Sequence, residues 1–202
     1  MRKTIGSALI TAAALVGLVC GNATAADEAA LFVGTKSCAM CHKKAESGDQ
    51  FGKWQASPHA KAYAMLASEE AKAAGAKVGV ADPQKSGKCL KCHATAYNFT
   101  EELQVKAEEG GTAKIVVEDG VSCESCHGAG KNYKAKSVML DRAQATAAGM
   151  VYPATKNCER CHNEKSPSWK ADRYTTKDGK KAGFDVEQAM EKIKHPDPNV
   201  KK

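Results

Sequence analysis

Aromatic residues are scarce, 5% of the 202 positions, which leaves little of the bulk that usually fills a protein interior. Long apolar runs are missing as well. Beyond the N-terminal stretch nothing is apolar enough to cross a bilayer, which excludes stable membrane insertion. Cysteine is plentiful but never spare: of nine, eight fall into four identical patterns and the ninth, Cys20, lies in the N-terminal apolar stretch. No thiol remains for a disulfide. Histidine is short too, with six in all. No cluster of catalytic residues can be read from spacing, and no βαβ context for a thioredoxin-like dithiol is visible.

What is there is one five-residue pattern in four copies: Cys38-Ala-Met-Cys41-His42, Cys89-Leu-Lys-Cys92-His93, Cys123-Glu-Ser-Cys126-His127 and Cys158-Glu-Arg-Cys161-His162. C-x-x-C-H is the attachment signature of c-type haem. Two thiols add across the haem vinyl groups and the adjacent His offers a proximal nitrogen to the iron. Zinc ribbons and disulfides also use paired cysteines, but nothing in zinc chemistry needs a His directly after the second Cys every time. The expected cofactors are therefore four covalently bound haem c groups. The thioether residues are Cys38, Cys41, Cys89, Cys92, Cys123, Cys126, Cys158 and Cys161, and the proximal ligands are His42, His93, His127 and His162.

The N-terminus reads as an export signal. Basic Arg2 and Lys3 precede an apolar stretch from about Ile5 to Val19, then Ala23-Thr24-Ala25 and acidic Asp27-Glu28. This predicts a Sec signal over residues 1–25, a periplasmic location, and a tetrahaem domain over residues 26–202. Removing 25 of 202 residues leaves 177, about 44 per pentad, too few to build much of a core from side chains alone. The haems are expected to supply it.

The formal charge of +7 becomes +5 once Arg2 and Lys3 are removed. Ferric haems with ionised propionates contribute about −1 each and ferrous haems about −2, so the loaded protein lies between about +1 and −3. The basic composition therefore argues neither for nucleic acid nor for anionic membrane as a partner.

Local patterning predicts a mainly α fold with long loops and one short β-hairpin. Ser57 and Pro58 open a helix to about Ala74, with His59 on the face of Tyr63 and Leu66. Leu103–Val105 and Lys114–Val117 read as the hairpin around Gly110-Gly111. Ser137–Ala148 and Asp185–Lys194 read as helices, and Lys165–Gly183 as polar and irregular.

Four irons want a sixth ligand, and the two histidines outside the pentads, His59 and His195, are the whole supply of distal imidazoles. Two irons are left with Met, Tyr, water or an open position. At least one should be able to bind a small molecule.

Several stretches resemble the cytochrome c-554 family of tetrahaem periplasmic cytochromes, which accept electrons from hydroxylamine oxidoreductase in ammonia-oxidising bacteria. They are Trp54–Ala64 with His59, Gly120–Tyr133 around the third pentad, Cys158–Trp169, and Phe184-Asp185 running to His195. The resemblance spans about residues 33–195. It implies a multihaem cytochrome c fold organised around four closely packed haems, some stacked in parallel, with a five-coordinate iron at His93. It also implies that His59 and His195 serve the later pentads, so that the irons at His127 and His162 carry two imidazoles. Where the family has a further distal histidine this sequence has Ala135, so the iron at His42 loses its expected partner. Met139, four residues on, is the nearest substitute.

The function expected is electron transfer between redox proteins and not enzymatic catalysis, with a side activity at a five-coordinate haem left open. The donor would be hydroxylamine oxidoreductase-like and the acceptor a membrane or periplasmic cytochrome. A haem enzyme reducing NO, nitrite or hydroxylamine at the open iron is the alternative, and a subunit of a cytochrome filament a third.

Overall fold

A computed structural model describes residues 31–98, 115–153, 155–196 and Pro198. The helices are short. They run α1 (Thr35–His42), α2 (Gln50–Ala56), α3 (Ala62–Met65), α4 (Glu69–Ala76), α5 (Gly87–His93), α6 (Cys123–His127), α7 (Lys136–Met139), α8 (Arg142–Ala147), α9 (Thr155–Glu159) and α10 (Val186–Ile193). Single 3-10 turns lie at Ala45–Ser47, Thr95–Asn98 and Val117–Asp119. Strands β1 (Tyr174–Thr175) and β2 (Lys181–Ala182) pair antiparallel, with Tyr174 opposite Ala182. Among the described residues no helix is long and apolar enough to cross a membrane. The signal stretch, residues 1–25, and most of the hairpin expected around Gly110-Gly111 lie outside the described residues.

Each pentad occupies a helical turn. α1, α5 and α6 end on His42, His93 and His127. The fourth pentad starts in α9, and the His162 N–H still bonds the Cys158 carbonyl at 2.9 Å. On a helix, residues three and four apart share a face. Both sulfurs and the imidazole of a pentad therefore project to one side.

Side chains build only a small core. Leu66, Leu90 and Ala94 are buried together, flanked by Tyr63, Cys89, Tyr97 and Val117. Buried apolar residues outside this cluster include Val33, Val80, Ile115 and Tyr133.

Several predicted elements are cut differently. Ser57 does not open a helix: it closes α2, which begins already at Gln50, and residues 58–61 form turns. The expected helix to Ala74 is split into α3 and α4, because the Ser68 hydroxyl accepts the Ala71 N–H and starts a new helix with Glu69 and Glu70 in its first turn. Such a cap and two acids at the positive end favour a fresh start over continuation. The Ser137–Ala148 helix is likewise divided, since Asp141 caps α8 through the Gln144 N–H at 3.0 Å. The strand pair lies in Lys165–Gly183, which composition marks as irregular. Val117, read as strand, starts a 3-10 turn. The last helix matches its expectation: Asp185 caps α10 by accepting the Gln188 N–H.

Candidate functional site

The four pentads converge. The Cys123 thiol hydrogen-bonds the Cys38 sulfur, which lowers the Cys38 pKa and raises that of Cys123. Cys126 is pushed up mainly by burial and then by neighbouring Cys158. Burial pushes Cys161 up to about 12, with Cys92 adding to it by charge and by hydrogen bonding. Sulfur neighbours thus run from the first pentad to the third, from the third to the fourth, and from the fourth to the second. The Arg160 guanidinium strengthens the middle link by donating to the Ser125 carbonyl at 2.7 Å. None of the eight pentad cysteines forms a disulfide.

Three pentad histidines have one ring nitrogen committed. His42 Nδ1 lies 3.1 Å from Gln50 Oε1, His93 Nδ1 2.8 Å from the Ala62 carbonyl, and His127 Nδ1 2.9 Å from the Val151 carbonyl. A carbonyl oxygen can only accept, so each Nδ1 carries the proton and each Nε2 presents a lone pair. Burial lowers the pKa of His59. It does the same for His127, where His42 adds to the effect and the Val151 carbonyl opposes it. For His162 burial leads, followed by the charges of His59, Arg173 and His93. All three are held toward the neutral, ligating form.

The two histidines outside the pentads are each placed opposite a pentad histidine. The His59 and His162 rings stand 6.0 Å apart between centroids at 64°, and those of His127 and His195 5.8 Å apart at 48°. Two metal–nitrogen bonds of about 2 Å, plus about 1 Å from each nitrogen to its ring centre, give roughly 6 Å for imidazoles on opposite sides of one metal ion. With no disulfide among the eight pentad cysteines and lone pairs on Nε2, the residues fit a covalently attached haem.

His59 is held by its backbone. Its carbonyl accepts the Val121 N–H at 2.9 Å, and the Val121 carbonyl accepts Trp54 Nε1–H at 2.8 Å. The crossing is tight. Gly120 has φ +61°, and a Cβ there would lie 2.6 Å from the His59 carbonyl oxygen, so glycine is required on both counts. Phe184 stacks on the His162 ring at 4.8 Å and 14°. Met139 ends α7 half-buried.

Residues 37–128 match the family model described as cytochrome c554 and c-prime. The chain is 27% identical to cytochrome c-554 of Nitrosomonas europaea over 206 residues, 92% of this chain and 82% of that one. Over 83 residues, 40% of its length, it is 32% identical to the dissimilatory sulfite reductase MccA of Wolinella succinogenes, of which that stretch is 10%. No solved structure matches. Residues 37–128 are thus similar to the cytochrome c554 family. Covalently bound haem c is the cofactor that this similarity implies.

Two polar residues of this chain carry no signal in the sequence. Glu124, a variable position of the third pentad, is 4% exposed. Its carboxylate accepts the Val33, Gly34 and Gly130 N–H groups at 3.0, 2.9 and 2.7 Å, pinning the chain before α1 to α6. Gln50 is the acceptor for His42. Neither has a sequence signature, since each acts on backbone or ring atoms that only the fold brings near.

Proposed function

We propose that this chain is an exported, periplasmic tetrahaem c-type cytochrome that carries electrons between redox proteins. The facing pairs His59–His162 and His127–His195, at 6.0 and 5.8 Å, carry the reading. Bound haem supplies the one-electron chemistry. The protein's part is to clamp, orient and insulate. Eight sulfurs anchor the groups, and the carbonyls of Ala62 and Val151 and the Gln50 amide hold three proximal rings in the ligating tautomer. His59 and His195 close the irons at His162 and His127. His93 would serve the iron left open, and Met139 is the candidate partner of the iron at His42. A side-chain core as small as Leu66, Leu90 and Ala94 is what a fold centred on porphyrin bulk would need.

Two-imidazole ligation leaves no position for substrate, which suits a carrier. A hydroxylamine oxidoreductase-like donor and a cytochrome acceptor are the partners in this reading. The test is a redox titration followed by EPR on the purified protein. It should return four one-electron haems, two with bis-imidazole low-spin spectra and distinct potentials. Finding no bis-imidazole haem would defeat the proposal. Steady turnover of NO or nitrite with a dye donor would favour an enzyme instead.

A further inference from the structure

The Gln50 side chain touches two of these sites at once. It lies at the start of α2 and is 8% exposed. Its Oε1 faces His42 Nδ1 at 3.1 Å, while its Nε2 donates to the Ser47 carbonyl and, at 2.7 Å, to the Pro196 carbonyl. The amide orientation follows from its partners. Reversing it would set an oxygen against two carbonyl oxygens and an N–H against an Nδ1 that needs an acceptor. Pro196 directly follows His195, whose ring faces His127 at 5.8 Å. The turn before α2 is shaped for this contact. Gly48 has φ +97°, and a Cβ on it would lie 2.6 Å from the Pro196 carbonyl oxygen. The C-terminal segment is thus seated on the turn that carries Gln50.

Resting on the tetrahaem reading above, we propose that Gln50 is a positioning residue that links two irons. Its oxygen sets the electron-donating strength of His42 toward the iron of the first pentad. Its nitrogen anchors the Pro196 carbonyl, and with it His195, over the iron of the third pentad. Outer partners of ligating histidines fix ring orientation and basicity, and their loss typically costs 10–100-fold in metal affinity or activity. Here one amide does this for a proximal ligand and holds a distal one, across 146 positions of sequence.

Three variants of the loaded protein separate the two roles. Gln50→Glu strengthens the acceptor for His42 Nδ1–H and removes the donor to Pro196. The reduction equilibrium of the first-pentad iron should move roughly tenfold toward the ferric state, 59 mV for one electron. Gln50→Leu removes both contacts and should move that equilibrium the opposite way. Both should raise CO binding to the reduced protein by one haem per chain, as His195 leaves the third-pentad iron. Gly48→Ala sets a Cβ 2.6 Å from the Pro196 carbonyl oxygen and 3.2 Å from Gln50 Nε2, so it presses on the donor half of the amide and not on Oε1. It should add the CO-binding haem and shift the first-pentad potential less than either Gln50 variant does. The proposal fails if both Gln50 variants shift that potential in the same direction or not at all, or if CO stoichiometry stays at the wild-type value. The underlying reading is checked on the wild type alone, by haem count and bis-imidazole EPR signal, so its failure is distinguishable from that of the Gln50 assignment.

Discussion

His59→Leu removes an imidazole and leaves a side chain of similar bulk that cannot ligate. The ring lost is the one facing His162 at 6.0 Å. The contacts holding the segment are backbone ones, from the residue 59 carbonyl to Val121 N–H and from Ala62 N–H to the same carbonyl, so the variant should keep the local path. With two facing pairs in the wild type, the bis-imidazole EPR signal should fall by half, from two haems per chain to one. CO binding to the reduced protein should rise by one haem per chain. The freed iron should gain potential by a fraction, on the order of 0.1–0.2 V, of the roughly 0.8 V over which axial ligands move haem potentials. EPR spin counting and a CO titration, both normalised to haem content, read these changes. An unchanged bis-imidazole count would refute the pairing of His59 with the iron at His162.

Glu124→Ala should lower stability by about 4 kcal/mol, since three buried backbone N–H groups lose a charged acceptor. At about 2–4 °C per kcal/mol that is a melting temperature roughly 10 °C lower by calorimetry, with Glu124→Gln in between. Gly120→Ala should reproduce the CO phenotype of His59→Leu, because a Cβ at 2.6 Å from the His59 carbonyl must push that segment away. Burial holds His59, His127 and His162 below the ordinary histidine pKa. The unfolded chain therefore binds more protons than the fold as pH drops below about 6.5. Denaturant titrations should show the resulting stability intact above that pH and lost progressively below it, until the folded-state pKa values are passed. Met139→Leu should add one CO-binding haem if Met139 caps the iron at His42, and an unchanged stoichiometry would remove it from the ligand set.

The cysteines and pentad histidines were legible because the chemistry constrains them locally. Two thiols and an imidazole on one helical turn need nothing from the rest of the chain. Which distal histidine meets which pentad could not come from spacing, since His59 reaches His162 across 103 positions. The family resemblance assigns both to the later pentads without saying which serves which, and the fold sets His59 beside His162 and His195 beside His127. Helix ends were misplaced where polar side chains compete for backbone N–H groups. Ser68 with Glu69 and Glu70, and Asp141 three residues before Gln144, are caps hidden inside alanine-rich runs. The strand pair at Tyr174 and Ala182 carried a readable signal, Asp178-Gly179 between the two strands, a pair favoured in tight hairpins. It was outweighed by the polar composition around it. Gln50 and Glu124 had no such signal. A glutamine or glutamate in a polar stretch looks solvated until the fold turns it inward.

Intact mass spectrometry of the exported protein tests the central claim most directly. The account predicts the chain cleaved after Ala25 plus four haem equivalents, all retained under denaturing conditions, as covalent thioethers must be. A bare-chain mass, a count other than four, or haem that is lost on denaturation would contradict it.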